Sequence, residues 1–386
     1  MRISELVKRE PFFNIIESTL IEAKREAVIG SMINNNEGVY YINKYLNFIT
    51  TLPKTKHFFT NLSNEYSVGK TYLRTVLQSS YVFLATNRMI LPILCKKIRF
   101  QFTISDFLII GGNHRMRLSN EIKGQIYVLL KKGEDTSLIS NEINFRKSSA
   151  NDVSYIPKLI NHGMFWFQEE FIYATPINRL KNTKTTFNLK LKCYELHEKE
   201  LLKPNLSEIN VLTYFKHLIS TLEVKIWDVA SKFNNKEINN RAFKTVTELN
   251  SLKDLINKYS DIIIPISLNH GDFQSSNILI NSKNKPVVID WEMVSNRFMF
   301  YDLFVLVSGI REGNNLIKAF EKHEIFKQKN SKYFIKTKGI PDELYKLLIL
   351  IEEFSFLIMN DWSINFFNPG VRTDKFIKEY NSFLYD

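Results

Sequence analysis

Residues 270 to 292 read His-Gly-Asp-Phe-Gln-Ser-Ser-Asn-Ile-Leu, a short polar stretch, then Val-Val-Ile-Asp-Trp-Glu. No other segment constrains the fold as tightly. Asp261 to Leu268 is rich in isoleucine, Ile278 to Ile280 alternates into Asn281, and Pro286 to Ile289 is β-branched. Between the last two lies Asn281-Ser282-Lys283-Asn284-Lys285, a turn-forming run. The pattern predicts a strand, a polar loop and a β-hairpin. Asp272, Asn277 and Asp290 are thereby set at strand ends, and all three can handle a metal or a proton.

Such a set suits phosphoryl transfer from ATP. One carboxylate orients the attacking hydroxyl, while an amide oxygen and a second carboxylate hold Mg²⁺ on the phosphates. The kinase signature places an Asn five residues after an Asp, with a metal-binding Asp further on. Asp272 and Asn277 are five apart, and Asp290 follows thirteen after Asn277. The bland reading of the same residues is a β-hairpin with surface acids. His-Gly-Asp-x-x-x-x-Asn followed by Ile-Asp-Trp-Glu resembles the aminoglycoside phosphotransferase and choline kinase superfamily, a small-molecule branch of the protein-kinase-like fold. Gly271 stands where protein kinases carry an Arg, and Trp291-Glu292 where they carry Phe-Gly. The resemblance spans about residues 105–386 and is strongest in the loop.

The resemblance implies an α+β, two-lobed, protein-kinase-like fold with a small β-rich N-lobe and a helical C-lobe, and helical spacing before it adds an N-terminal helical region outside the resemblance. Residues 1–100 are then a basic helical extension, 101–174 the nucleotide-binding N-lobe, and 175–386 the C-lobe with catalytic loop and acceptor site. ATP and Mg²⁺ are the implied cofactors, and a hydroxyl of a small molecule or glycan the acceptor. Asp272 orients or deprotonates that hydroxyl, Asn277 and Asp290 hold the metal, and His270 braces the loop. Gln274, counted with Asp272 in the catalytic set, stands where protein kinases carry a lysine and many family members a histidine or serine, so the resemblance does not carry transition-state charge stabilisation over to this position. Glu292 adds an outer contact. Asp302, in Phe-Tyr-Asp-Leu, matches a family Asp that supports the loop; a helix N-cap is the alternative.

Upstream, Phe107–Ile110 and Gln125–Leu130 read as strands, with Gly111-Gly112 in a turn after the first and Lys131-Lys132 after the second. Glycines let backbone N–H groups approach phosphates, because no Cβ intervenes. Strand alternation puts Lys131 and Lys132 on opposite faces. Lys131 is expected in the site, paired with Glu142 on a helix predicted over 136–147. Ile156–Ile160 and Phe165–Phe167 read as further strands. Glu170-Phe171-Ile172 resembles the hinge of the family, where the Glu170 carbonyl and the Ile172 amide would meet adenine. Residues 185–260 and 303–386 read as mostly helical, and Glu352, Glu353, Asp361 and Trp362 are expected to line the acceptor pocket.

Composition sets outer bounds. At 44% hydrophobic residues the chain can build a full core. Cys95 and Cys193 form no spacing pattern, which suits a reducing compartment and leaves any metal to oxygen ligands. No apolar run reaches membrane-spanning length and the start is charged throughout, so a cytoplasmic protein, peripheral to a membrane at most, is expected. The net charge is +12, and residues 1–100 hold 14 Lys and Arg against 7 Glu. Within 38–100 nine cations face only Glu65, interleaved with Tyr40, Tyr41, Tyr45, Phe48, Phe58 and Phe59. That suits a polyanion or an anionic membrane surface, or simply a solvated face; nucleic acid is not the expected partner. Residues 10–30 and 70–97 read as helical. Gly69-Lys70-Thr71 imitates the end of a P-loop, but Asn64 occupies the place of its leading Gly. The rival to an enzyme is a non-catalytic scaffold with a degenerate kinase fold, bound through its basic N-terminal region; keeping Asp272, Asn277 and Asp290 together argues against it.

Overall fold

The structure, a computed structural model of the chain, describes residues 3–51, 72–104, 107–120, 123–148, 153–180, 183–337 and 339–385. Phe58, Phe59 and the Gly69-Lys70-Thr71 stretch lie outside the described residues. The chain divides into two compact units, residues 1–189 with 278–289, and residues 190–277 with 290–386. No division falls near residue 100.

In chain order the first unit contains α1 (Ile3–Arg9), α2 (Phe12–Ala23), β1 (Ile33–Asn34), β2 (Gly38–Asn43), β3 (Phe48–Thr50), α3 (Tyr72–Thr86), β4 (Lys96–Phe100) and β5 (Thr103–Ile104). There follow β6 (Leu108–Gly111), β7 (Arg115–Asn120), β8 (Gln125–Leu130), α4 (Thr136–Ser148), β9 (Leu159–His162), β10 (Trp166–Glu170) and β11 (Ala174–Pro176). Eight strands form one antiparallel sheet in the order β4-β2-β3-β6-β7-β8-β10-β9. The first hundred residues are therefore not a purely helical addition. Gly38–Asn43, with its run of Val, Tyr, Tyr and Ile, has the β-branched and aromatic content of a strand, and it pairs with both β3 and β4.

Alternation in β8 decides what each side of this sheet meets. Tyr127 and Leu129 join Ile3, Leu6, Phe12, Ile16 and Leu20 of α1 and α2 in one apolar cluster. Val128 and Leu130 join Ile139 and Ile143 of α4 in another. Burying each large side chain is worth about 1.5–3 kcal/mol, so the phase of β8 is strongly determined.

The second unit is mostly helical. It takes the end of α5 (Thr183–His197), then β12 (Ser207–Asn210), α6 (Val211–Ala230), α7 (Lys236–Ile256) and β13 (Ile263–Asn269). The hairpin β14 (Ile278–Asn281) and β15 (Pro286–Val288) belongs to the first unit, where β14 also pairs with β11. The second unit resumes with β16 (Ser295–Phe298), α8 (Tyr301–Ser308), α9 (Leu316–Lys329), α10 (Asp342–Asp361) and α11 (Val371–Tyr385). β13 is the centre of a three-stranded antiparallel sheet between β12 and β16. The fold is α+β, an antiparallel-sheet unit and a helical unit.

Candidate active site

The loop after β13 is built on Asp302, in the first turn of α8. Its buried carboxylate accepts the His270 amide at 2.7 Å and the Gly271 amide at 3.0 Å, and lies 2.8 Å from His197 Nε2. The cap position of α8 is Phe300, so the N-cap alternative for Asp302 falls away. Burial alone would raise this carboxyl, but the bonds from His197 and the loop outweigh it and hold the group below its ordinary value of 3.8. Gly271 has φ +81°, and a Cβ there would lie 2.5 Å from the Met293 carbonyl oxygen. Only glycine fits that turn. His270 is buried against the Trp291 ring at 4.5 Å and accepts the Asp272 amide at Nδ1 (3.2 Å), which makes it a brace of the loop. His197 also stacks on Phe273 at 4.3 Å.

Asp272 has donors on both carboxylate oxygens. Gln274 Nε2 (2.7 Å) and Asn277 Nδ2 (3.0 Å) donate to Oδ2, and Arg311 Nε (3.1 Å) donates to Oδ1. Asn277 Nδ2 also reaches the Asp272 carbonyl at 3.0 Å. This orients the amide so that its oxygen points away from Asp272. Asp290 sits at φ +75°, ψ 53°, a left-handed conformation uncommon for a non-glycine residue and costing about 1–3 kcal/mol. Ile278 stands opposite Val288 in the hairpin, so the register returns the chain at Asp290 beside Asn277. An amide oxygen turned outward and a carboxylate at the paired hairpin end fit Mg²⁺, which takes few protein oxygens and keeps waters and phosphate oxygens. Among the described residues no group of three or more His, Cys, Asp or Glu could hold a metal ion. Glu292 follows Asp290 in a single 3₁₀ turn, half-buried.

Arg311 was not anticipated. Beyond Asp272 it donates to both oxygens of Glu353 (2.6 and 3.0 Å) and to Tyr301 (3.0 Å), and it lies 3.5 Å from the centre of the Phe356 ring. Burial would lower its pKa, but Glu353, Tyr301 and Asp272 hold it above the usual arginine value, so it is a fixed cation. Nothing local in the sequence marks it, since its carboxylate partners are 39 and 42 residues away.

The residues expected to line an acceptor pocket are internal. Glu352 is fully buried and takes bonds from Arg297 (2.7 Å), the Phe298 amide (2.9 Å) and Tyr214. Glu353 is spent on Arg311 and Tyr301. Asp361 accepts from the Thr373 amide (2.8 Å) and hydroxyl (3.1 Å). Trp362 is buried under Gly370, where a Cβ would strike its ring at 2.5 Å. The reason is that α10 is buried on nearly all sides, so its acids have been satisfied internally. Only Glu353 touches the loop, through Arg311.

In the first unit the expected Lys131–Glu142 pair does not form. Lys131 continues the odd face of β8, toward α1 and α2, and α4 lies on the other face. Its ammonium is fully buried, bonded to Glu10 and to the Asn113 carbonyl (3.0 Å), with the Phe12 ring at 5.3 Å. Desolvation outweighs their attraction, pushing the Lys131 pKa down and the Glu10 pKa up. Glu142, also fully buried, pairs with Arg115 and Arg146, and Arg146 reaches Glu169 at 2.8 Å. Arg115 stands opposite Leu130 in the ladder, and opposed residues share a face, so β7 delivers its cation to α4. Lys132 is exposed, its amide bonded to Thr19 Oγ1 at 2.9 Å. Gly111 ends β6 and is packed closely: a Cβ would lie 2.7 Å from Leu6 and 3.1 Å from Ile3 and Phe12. At Gly112 it would meet the Arg115 carbonyl at 2.8 Å. Glu170 ends β10 and its amide donates to the Lys158 carbonyl at 3.1 Å; Ile172 lies between β10 and β11.

Comparison with known proteins bears on the loop. Residues 238–329 match the model of the phosphotransferase enzyme family, APH, a span that holds His270 through Asp302 and Arg311. No curated protein matches the chain. Similar solved structures include a thermostable mutant of aminoglycoside phosphotransferase APH(4)-Ia, at 15% identity and TM-score 0.45, covering 72% of this chain and 92% of that one. Choline kinase LicA from Streptococcus pneumoniae matches at 13% identity and TM-score 0.45, over 72% and 91%. Choline kinase from Cryptosporidium parvum matches at 15% and 0.42, over 72% and 87%. By its loop motif and its family match, the chain is similar to the aminoglycoside phosphotransferase and choline kinase superfamily.

Proposed function

We propose that the protein is an ATP- and Mg²⁺-dependent phosphotransferase acting on a hydroxyl of a small molecule or glycan. The observation that carries this is the Asp272 carboxylate, partly exposed and held on both oxygens by Gln274, Asn277 and Arg311. A fixed carboxylate accepts the acceptor's O–H bond and aligns its oxygen; the new O–P bond forms as the bond to the departing ADP oxygen breaks, and the proton passes to Asp272. Arg311 and Asn277 hold the carboxylate in place. When bound, Mg²⁺ would neutralise phosphate charge, with Asn277 Oδ1 and Asp290 as its protein ligands. Arg115 rather than Lys131 is proposed as the cation toward the nucleotide phosphates, since it holds Glu142 as the resemblance requires of a lysine. The Gly111-Gly112 turn and the Glu170 and Ile172 backbone remain the proposed contacts to phosphate and adenine. ATP as donor agrees with a cytoplasmic setting, as do two buried free cysteines.

Glu352, Glu353 and Asp361 are all engaged, so they offer a cationic acceptor no free carboxylate. This supports a neutral or anionic acceptor, such as a sugar, a phosphosugar or a membrane-linked glycan. A screen with ATP labelled in its γ-phosphate tests it. Transfer to sugars or phosphosugars ahead of choline and aminoglycosides is expected; preference for the cationic acceptors would overturn the acceptor class. One observation favours the scaffold reading: Lys131 is sealed against Glu10. Calorimetry separates the two, because a scaffold would give no heat of Mg·ATP binding.

A further inference from the structure

Helix α3 is apolar on two opposite sides. Val82 and Ala85 face inward, in a cluster with Tyr41, Phe48, Leu91, Cys95 and Leu108. At 100° per residue the opposite side carries Tyr72, Leu73, Val76, Leu77, Phe83 and Leu84, all exposed; Leu73 is 69% exposed and Phe83 68%. Met89 and Ile93, in the turns that follow, are 84% and 80% exposed. A helix apolar all round is ordinarily buried, and an exposed apolar patch of this kind marks an interaction surface.

Charge identifies the partner. From residue 72 to 104 there is no Asp or Glu, but Arg74, Arg88, Lys96, Lys97 and Arg99 are present. All five are exposed. Among the described residues β4 is an edge strand of the eight-stranded sheet, and Cys95, just before it, packs in the same cluster as α3. Lysines on an edge strand also guard against strand addition, but that role leaves the outward apolar side of α3 unexplained. A second copy would bring like charges together. Residues 52–71 offer no net opposite charge either, with Lys54, Lys56 and Lys70 against Glu65. A nucleic acid would satisfy the cations and leave the aliphatic side chains in water.

We propose that α3, the turns after it and β4 form a docking surface for an anionic lipid bilayer, with the apolar side of α3 entering the headgroup boundary and the Lys and Arg side chains binding lipid phosphates. This goes beyond the phosphotransferase reading and does not depend on it. The full-length protein is to be tested by flotation with vesicles of phosphatidylcholine alone and of equimolar phosphatidylcholine and phosphatidylglycerol. Binding to the anionic vesicles, weakened by salt, is expected. Neutralising Lys96, Lys97 and Arg99 to Gln together should weaken it roughly a hundredfold. Leu77→Asp and Phe83→Asp should abolish it with the melting temperature unchanged, because both side chains already face solvent. No binding to anionic vesicles at low salt would overturn the proposal, as would wild-type binding by the Gln variant. So would a concentration-dependent dimer abolished by Phe83→Asp, unfolding of both Asp variants, or equal binding of a single-stranded DNA probe.

Discussion

Two buried polar centres of this chain handle charge in opposite ways. Around Asp272, donors reach both carboxylate oxygens while the side chain keeps 14% of its surface in solvent. Between Glu10 and Lys131 both side chains are at 0%, and Glu10 Oε2 has no hydrogen-bond partner. The first is oriented and open, as a group that meets a substrate must be. The second is a closed pair whose charge cannot reach a phosphate without dismantling α1 and α2 from the sheet. Burial and pairing alone therefore do not mark a functional cation.

Substitutions can break this contrast. Asp272→Asn should lower kcat about a thousandfold while Mg·ATP affinity stays within about twofold, because the carboxylate serves the acceptor hydroxyl. Steady-state turnover with calorimetry checks both halves. Lys131→Met should cost about 3–5 kcal/mol in chemical denaturation by leaving Glu10 alone in the core, and Glu10→Leu with Lys131→Met should restore most of it. Loss of nucleotide binding in that stable double variant would instead make Lys131 a phosphate ligand. Arg115→Met should weaken ATP binding about tenfold, with Arg146 still holding Glu142.

The smallest effect is in pH. Asp302 is held below 3.8, so its share of stability is present above that value and is lost as pH falls through the lower folded pKa. Glu10 is raised above 4.5, so its share is present at acid pH and is lost as pH rises through the raised pKa. The two slopes have opposite signs and lie apart, that of Asp302 below 3.8 and that of Glu10 above 4.5. Asp302→Asn should flatten the acid limb of a stability profile, and Glu10→Gln should steepen it; equal changes in one direction would erase the distinction.

The same contrast explains what was legible in the sequence. The loop is local: strand, glycine turn, polar run and hairpin lie within residues 263–290, and each has its own signal. The nucleotide side depends on the phase of β8 and on which helix covers each face. Reading Lys131 as the cation requires the strand to point it at α4, and it points the other way. Arg115-Met116-Arg117-Leu118 alternates as a strand should, so β7 and its arginine carried a usable signal. Gly38–Asn43 carried one too, within a region read as helical. Arg311 and His197 had none, because their partners lie 39 and 105 residues away. The acids of α10 misled because a carboxylate on a helix says nothing of which arginines will bury it.

The central claim is that the loop and the paired hairpin end perform Mg²⁺-dependent phosphoryl chemistry. Its most direct test is ATP turnover and binding, with and without Mg²⁺, in the wild-type protein and in Asp290→Ala. The account predicts Mg²⁺-dependent binding and turnover in the wild type, and for Asp290→Ala a loss of the Mg²⁺ dependence with no loss of folding. Mg·ATP affinity unchanged by Asp290→Ala, or a folded wild-type protein that binds no nucleotide, would contradict it.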